Sequence, residues 1–339
     1  MSIQGSAQPF FDASDEVDST PIRSVPVGVG HRAESISVAP GSVSSLTRFA
    51  EVALYSPSAW TLIGAVGMVD FLWVERSGLS FGGWGRVVCI ILVMWALGLY
   101  GAMRGLTGLA DMGHHMAQWV AFLAVNIVFT YLWATLPMPL QDAAFARINA
   151  ALGFHWTEWF TWIAARPLPR VILTAAYGSL LIQILGSVSY LALTGRSDRN
   201  RELLWCVMLT ALVSAVISGL LPATGPFVGS LPDIEVAFMA LRSGAVSHID
   251  VSQLKGIVTM PSFHTVLAIL FTYAHRPPSR SFIPVALLNL VMLISIPFAG
   301  HHYVIDIVAG AAVAAVAIGV VRMANVGAPS VARASASNA

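Results

Sequence analysis

The chain has 339 residues, of which 56% are apolar and 10% charged, with a formal net charge of +1 and a mean hydropathy of +0.75. Soluble domains carry about a quarter charged residues, so this composition excludes an ordinary soluble enzyme. A charge so near zero gives no reason to expect a nucleic-acid partner.

Residues 1–50 are polar and rich in Ser, Gly and Pro, the composition of a disordered tail. Met1 to Thr20 has neither the basic start nor the apolar core of a signal peptide. Residues 51–323 read as one transmembrane domain, and 324–339 as a flexible C-terminal tail. A spanning helix needs about 20 mostly apolar residues. Eight runs qualify or nearly do: Pro57–Trp73, Arg86–Met103, Ala117–Leu136, Val171–Leu193, Leu203–Leu221, Ser262–Arg276, Phe282–Phe298 and Tyr303–Arg322. The expected fold is therefore an all-α, multi-pass transmembrane bundle of about eight spans. The first and sixth runs are short. Cys89 and Cys206 lie within apolar runs and read as buried free thiols. Asn126, Gln183 and Asn289 read as polar glue between helices.

Between the third and fourth runs, Asp142 to Ala165 mixes Phe145, Phe154, Trp156, Trp159, Phe160 and Trp162 with a few charges. That pattern fits an amphipathic helix in the interface, a re-entrant element, or an aromatic belt. Loop charges give the orientation. Arg196, Arg199, Arg201, Arg276 and Arg280 stand on one side of the last spans, against Arg242 and Lys255 on the other. The positive-inside rule then places both termini in the cytoplasm. The expected location is the plasma (inner) membrane, with the loops after the fifth and seventh spans outside.

Two stretches carry chemistry. One is Met260-Pro261-Ser262-Phe263-His264-Thr265, the other Gly300-His301-His302-Tyr303-Val304-Ile305-Asp306. Each opens a span on the outward side, so two helix N-termini meet at one membrane face. Free N–H groups and the positive end of the macrodipole make such ends attractive to anions. Ser262 stands where a cap or a phosphate donor would. His302 and Asp306, spaced i, i+4, share a helix face. The carboxylate fixes one ring nitrogen and leaves the other to attack phosphorus, with His264 as general acid. The scheme calls for neither a metal nor a cofactor.

At these residues the chain resembles the type-2 phosphatidic acid phosphatase superfamily. Pro261, Ser262 and His264 match its Pro-Ser-x-His motif, and His302 and Asp306 its His-x-x-x-Asp motif. The resemblance implies a six-helix core, here about residues 117–322, and a phospho-enzyme on His302 with His264 as the acid. The family's phosphatases carry Ser-Arg six to seven residues before the nucleophile, where this chain has Ser295 and Ile296. Their Lys-x6-Arg-Pro motif is missing too. Leu221-Pro222-Ala223-Thr224-Gly225-Pro226-Phe227 stands in its place. That stretch and the His-His-Tyr before the aspartate are closer to the inositol phosphorylceramide synthase branch, whose members transfer lipid head groups. Lys255, His301, Thr224 and Gly225 are the candidates to hold phosphate without those arginines.

The expected partners are a lipid phosphate substrate, the membrane, and, for a transferase, a lipid acceptor such as ceramide or diacylglycerol. A lipid phosphate phosphatase acting on phosphatidic acid or polyprenyl pyrophosphate is the alternative. From another class, paired intramembrane histidines would also suit a haem-binding, transporter-like or purely lipid-binding protein. Transporters, however, bind near the midplane between repeated halves, and no repeat is visible. The sequence leaves the lipid and the oligomeric state open.

Overall fold

The computed structural model describes residues 57–227, 233–253 and 256–326. The polar tail at 1–50 and most of the C-terminal tail lie outside these. Among the described residues are twelve α-helices: α1 Pro57–Ser77, α2 Trp84–Met103, α3 Thr107–Ala134, α4 Asp142–Ala151, α5 Trp156–Ala164, α6 Pro167–Gly178, α7 Leu180–Leu193, α8 Ser197–Leu220, α9 Asp233–Arg242, α10 Phe263–Ala274, α11 Phe282–Ala299 and α12 Val304–Val326. The protein is an all-α, multi-pass membrane protein. Five of these helices (α2, α3, α8, α11 and α12) are long and apolar enough to cross a bilayer, and the bent pair α6–α7 makes a sixth. Each of the eight runs read from the sequence falls on a helix or on that pair. The sixth run differs most, because α10 has only 12 helical residues. At 1.5 Å per residue that length is well short of a hydrocarbon core.

The fourth run is broken at Ser179, where the axis bends by 50°. The hydroxyl of Ser179 donates to the Ala176 carbonyl at 2.7 Å and accepts from Gln183 Nε2 at 3.0 Å, so the bend has local side-chain support. A short parallel pairing of β1 Ser80–Gly82 with β2 His248–Asp250 joins two loops distant in sequence.

In a membrane, tight packing and polar contacts replace the hydrophobic drive between helices. Helices α2 and α3 approach so closely that a β-carbon on Gly113 would lie 2.4 Å from the Gly98 amide nitrogen. Helices α3, α7, α8, α10 and α12 form the main core, in which Trp119, Phe122, Leu191, Leu204 and Phe271 are buried. The apolar side chains of α2, including Val88, Ile90, Leu92 and Val93, point outward as a lipid-facing surface requires. Asn289 Nδ2 donates to Thr272 Oγ1 at 3.2 Å, tying α11 to α10. At the far end of α10, Glu202 of α8 accepts from Arg276 and from the Tyr273 hydroxyl, both at 2.6 Å. Helix α10 also packs along α12, and the two have their first turns at the same end.

Candidate functional site

The site begins where those two first turns touch. Ser262 caps α10, its hydroxyl accepting from the Thr265 N–H at 3.4 Å. Its own N–H donates to the Asp306 carbonyl at 2.9 Å. One turn further along α12, Gly310 lies flat against the Ser262 carbonyl. Ser262 is wholly buried, so its side chain serves the cap.

His302 and Asp306 are both buried, at 4% and 0% exposure. His302 Nδ1 and Asp306 Oδ2 are 3.3 Å apart, and the same oxygen accepts from the Tyr303 N–H at 2.9 Å. The carboxylate is thus clamped against the turn that carries the histidine, leaving Nε2 for the cavity that His302 lines. His264, in the first turn of α10, lies under the Tyr177 ring of α6, with the two rings stacked 3.8 Å apart at 15°. Tyr177 also edges Gly300, two residues before His302: a β-carbon on Gly300 would meet the His302 ring at 2.7 Å and the Tyr177 ring at 2.8 Å. Tyr177 therefore lies against His264 and close to the turn that carries His302. Sequence reading missed Tyr177, which belongs to no motif, and gave Gly300 no role although it opens the second stretch.

The cavity beside His302 measures about 300 Å³, and His301, Thr224, Tyr177, Glu235 and Phe238 also line it. Among the described lining residues there is no Lys or Arg. Ile296, which stands where the resemblance would place an arginine, is fully buried in the core, and the Ser295 hydroxyl donates to the Met292 carbonyl at 2.6 Å. Lys255 lies outside the described residues. His301 takes a left-handed backbone, φ 51°, and its ring meets Trp156 and Phe160 nearly edge-on, each at 5.9 Å. Burial, reinforced by His302, holds His301 below the ordinary imidazole range. It is therefore a neutral hydrogen-bonding group at pH 7 rather than a fixed positive charge.

The Thr224–Gly225 turn is a cradle of donors, and it already holds an anion. Asp142 Oδ1 accepts from the Thr224 N–H at 3.0 Å, the Gly225 N–H at 2.9 Å and the Thr224 hydroxyl at 3.2 Å. The Tyr303 hydroxyl adds a fourth donor at 3.2 Å. Burial, with Asp142 beside it, pushes that phenol above its usual range, so it stays a donor. Gly225 sits at φ +81° against the His301 carbonyl, leaving no room for a side chain. Asn149 of α4 accepts from the Val304 N–H at 2.9 Å and so pins the start of α12. A second cavity of about 490 Å³ opens on the other side of this turn, lined by Asp142, Asn149, His155, Trp156, Thr224 and Tyr303.

The aromatic stretch Asp142–Ala165 thus forms α4 and α5, which wall the site. Helix α4 packs on α12 and α5 on α11, and Trp156 Nε1 donates to the Pro297 carbonyl at 2.6 Å. Asp142, Asn149 and Trp156 carried no motif; their only sequence signal was a segment that mixes aromatic residues with charges.

Residues 143–320, just over half of the chain, match the family model of the PAP2 superfamily. No curated protein and no solved structure matches the chain. Both histidine motifs, Tyr177 and Glu235 fall inside the matched region. The chain belongs to the PAP2 superfamily.

Proposed function

We propose that this protein is a lipid head-group phosphotransferase or phosphoesterase, similar to inositol phosphorylceramide synthase, working through a phospho-histidine on His302. The observation that carries the reading is the buried His302–Asp306 pair at 3.3 Å on the wall of a cavity. Membership of the PAP2 superfamily supports phosphoester chemistry in a membrane.

In the first half-reaction His302 Nε2 attacks phosphorus and the bond from phosphorus to the leaving oxygen breaks. His264 gives that oxygen its proton. Asp306 holds Nδ1–H and stabilises the imidazolium that forms. In the second half-reaction an acceptor hydroxyl loses its proton to His264, and its oxygen takes the phosphoryl group from nitrogen. A lipid alcohol as acceptor makes a transferase; water makes a phosphatase. The missing arginines favour the transferase, because a phosphomonoester dianion is left without its usual cationic clamp. The orientation read from loop charges puts the reaction at the non-cytoplasmic face of the plasma membrane.

The test is to incubate detergent-purified protein, and His302→Ala, with labelled phospholipids, with and without ceramide or diacylglycerol. Product from wild type alone supports the reading, and a new lipid rather than free phosphate identifies a transferase. Equal activity in both proteins would remove His302 from its role.

A further inference from the structure

Glu235 belongs to neither motif, yet it lines the same cavity as His302. It sits in the first turn of α9. Its Oε2 is buried and has no hydrogen-bond partner, although buried polar atoms are nearly always paired. Burial raises its carboxyl above the ordinary range, opposed by the attraction of His302. Arg242, on the same helix, does not neutralise it: that guanidinium donates to the Leu136 and Met138 carbonyls in the connection that follows α3. His301 is neutral, and the described lining holds no Lys or Arg.

A carboxylate in such a place repels phosphate in proportion to the phosphate's charge. A phosphomonoester carries two charges above its second ionisation, at about pH 6, whereas a phosphodiester carries one. A diester also brings a second substituent. Where that head group bears a hydroxyl or an ammonium, it supplies the donor that Oε2 lacks. Phosphate specificity usually comes from cations that attract; here it would come from an anion that rejects the wrong charge state.

We propose that Glu235 is a specificity-determining residue that makes the His302 cavity select phosphodiesters over phosphomonoester dianions. This rests on the reading of that cavity as the phosphoryl site, but not on the covalent mechanism.

The test is a binding measurement on the full-length protein in detergent at pH 8. Methyl phosphate serves as the dianion probe and dimethyl phosphate as the monoanion, each titrated by phosphorus NMR line broadening. Wild type is expected to bind dimethyl phosphate the more tightly. In Glu235→Gln the affinity for methyl phosphate should rise about tenfold or more, a modest share of the cost of juxtaposed like charges, with dimethyl phosphate changed less than about twofold. Glu235→Asp, which keeps the charge, should keep the discrimination and guards against a merely structural effect. The proposal is overturned if Glu235→Gln shifts both probes together or neither, or if wild type and variants bind neither probe. Because no turnover is needed, loss of discrimination is separable from failure of the phospho-histidine mechanism, which would leave these affinities in place.

Discussion

Replacing Gly310 by alanine asks whether the first turns of α10 and α12 must touch for the site to work. The added β-carbon would lie 2.6 Å from the Ser262 carbonyl oxygen and 3.0 Å from Thr265 Cβ, where ordinary contact begins near 3.4 Å. The nearer neighbour is backbone in a capped, fully buried turn, so it has no rotamer to escape into. The helices must part by roughly 0.8 Å at this level. Overpacking of this kind costs about 1–3 kcal/mol, which lowers the melting temperature by a few degrees in a chain of this size. The larger effect falls on chemistry. Asp306 lies one turn before Gly310, and its carbonyl is held by the Ser262 N–H at 2.9 Å. Parting the helices therefore moves His302 away from His264. A misplacement near 1 Å costs about 100-fold in rate, so kcat/KM should fall about 10- to 100-fold. Gly319, on the same helix, has open space at its β-carbon position, and Gly319→Ala should leave turnover and melting unchanged. Head-group release or exchange in mixed micelles, with melting followed by intrinsic fluorescence, measures both quantities. Wild-type turnover and melting in Gly310→Ala would refute the close-contact reasoning.

Asp142→Ala removes the anion held by the Thr224–Gly225 turn and leaves four donors without their acceptor. Hydrogen bonds to a charged group are worth about 1.5–3 kcal/mol each at most, so melting should drop clearly and KM should rise, with Asp142→Asn intermediate in both. Tyr177→Phe keeps the ring stacked on His264 and should retain most activity, whereas Tyr177→Ala frees the imidazole and should lower kcat about 10-fold or more with little change in KM. His301 gives a pH effect. Its folded-state pKa lies below the ordinary 6.5, so the unfolded chain takes up a proton first as pH falls. Stability is therefore lost from about pH 6.5 downward until His301 itself protonates. His301→Asn should lose less melting temperature than wild type between pH 7 and pH 5.

Much of the fold was legible because apolar runs of about 20 residues report membrane helices directly. The two histidine motifs were legible because their partners sit three or four residues apart on one turn. The rest depends on contacts between distant segments, which leave no periodic trace. Asp142 reaches Thr224 across 82 residues, and Tyr177 reaches His264 from another helix. The break at Ser179 falls on the Gly178-Ser179 pair, a kind of site where helices kink, inside a run whose apolar character on either side reads as one span. Thr224 and Gly225 were singled out as a phosphate cradle. The structure shows why the pattern fits an anion, and also that a carboxylate of the same chain occupies it.

The most direct test of the mechanism is to trap the enzyme during turnover of radiolabelled phospholipids and locate the phosphate by mass spectrometry. An acid-labile, alkali-stable label on His302 is expected, absent in His302→Ala and strongly reduced in Asp306→Asn, which loses the carboxylate 3.3 Å from Nδ1. Label on another residue, or wild-type turnover by His302→Ala, would contradict it.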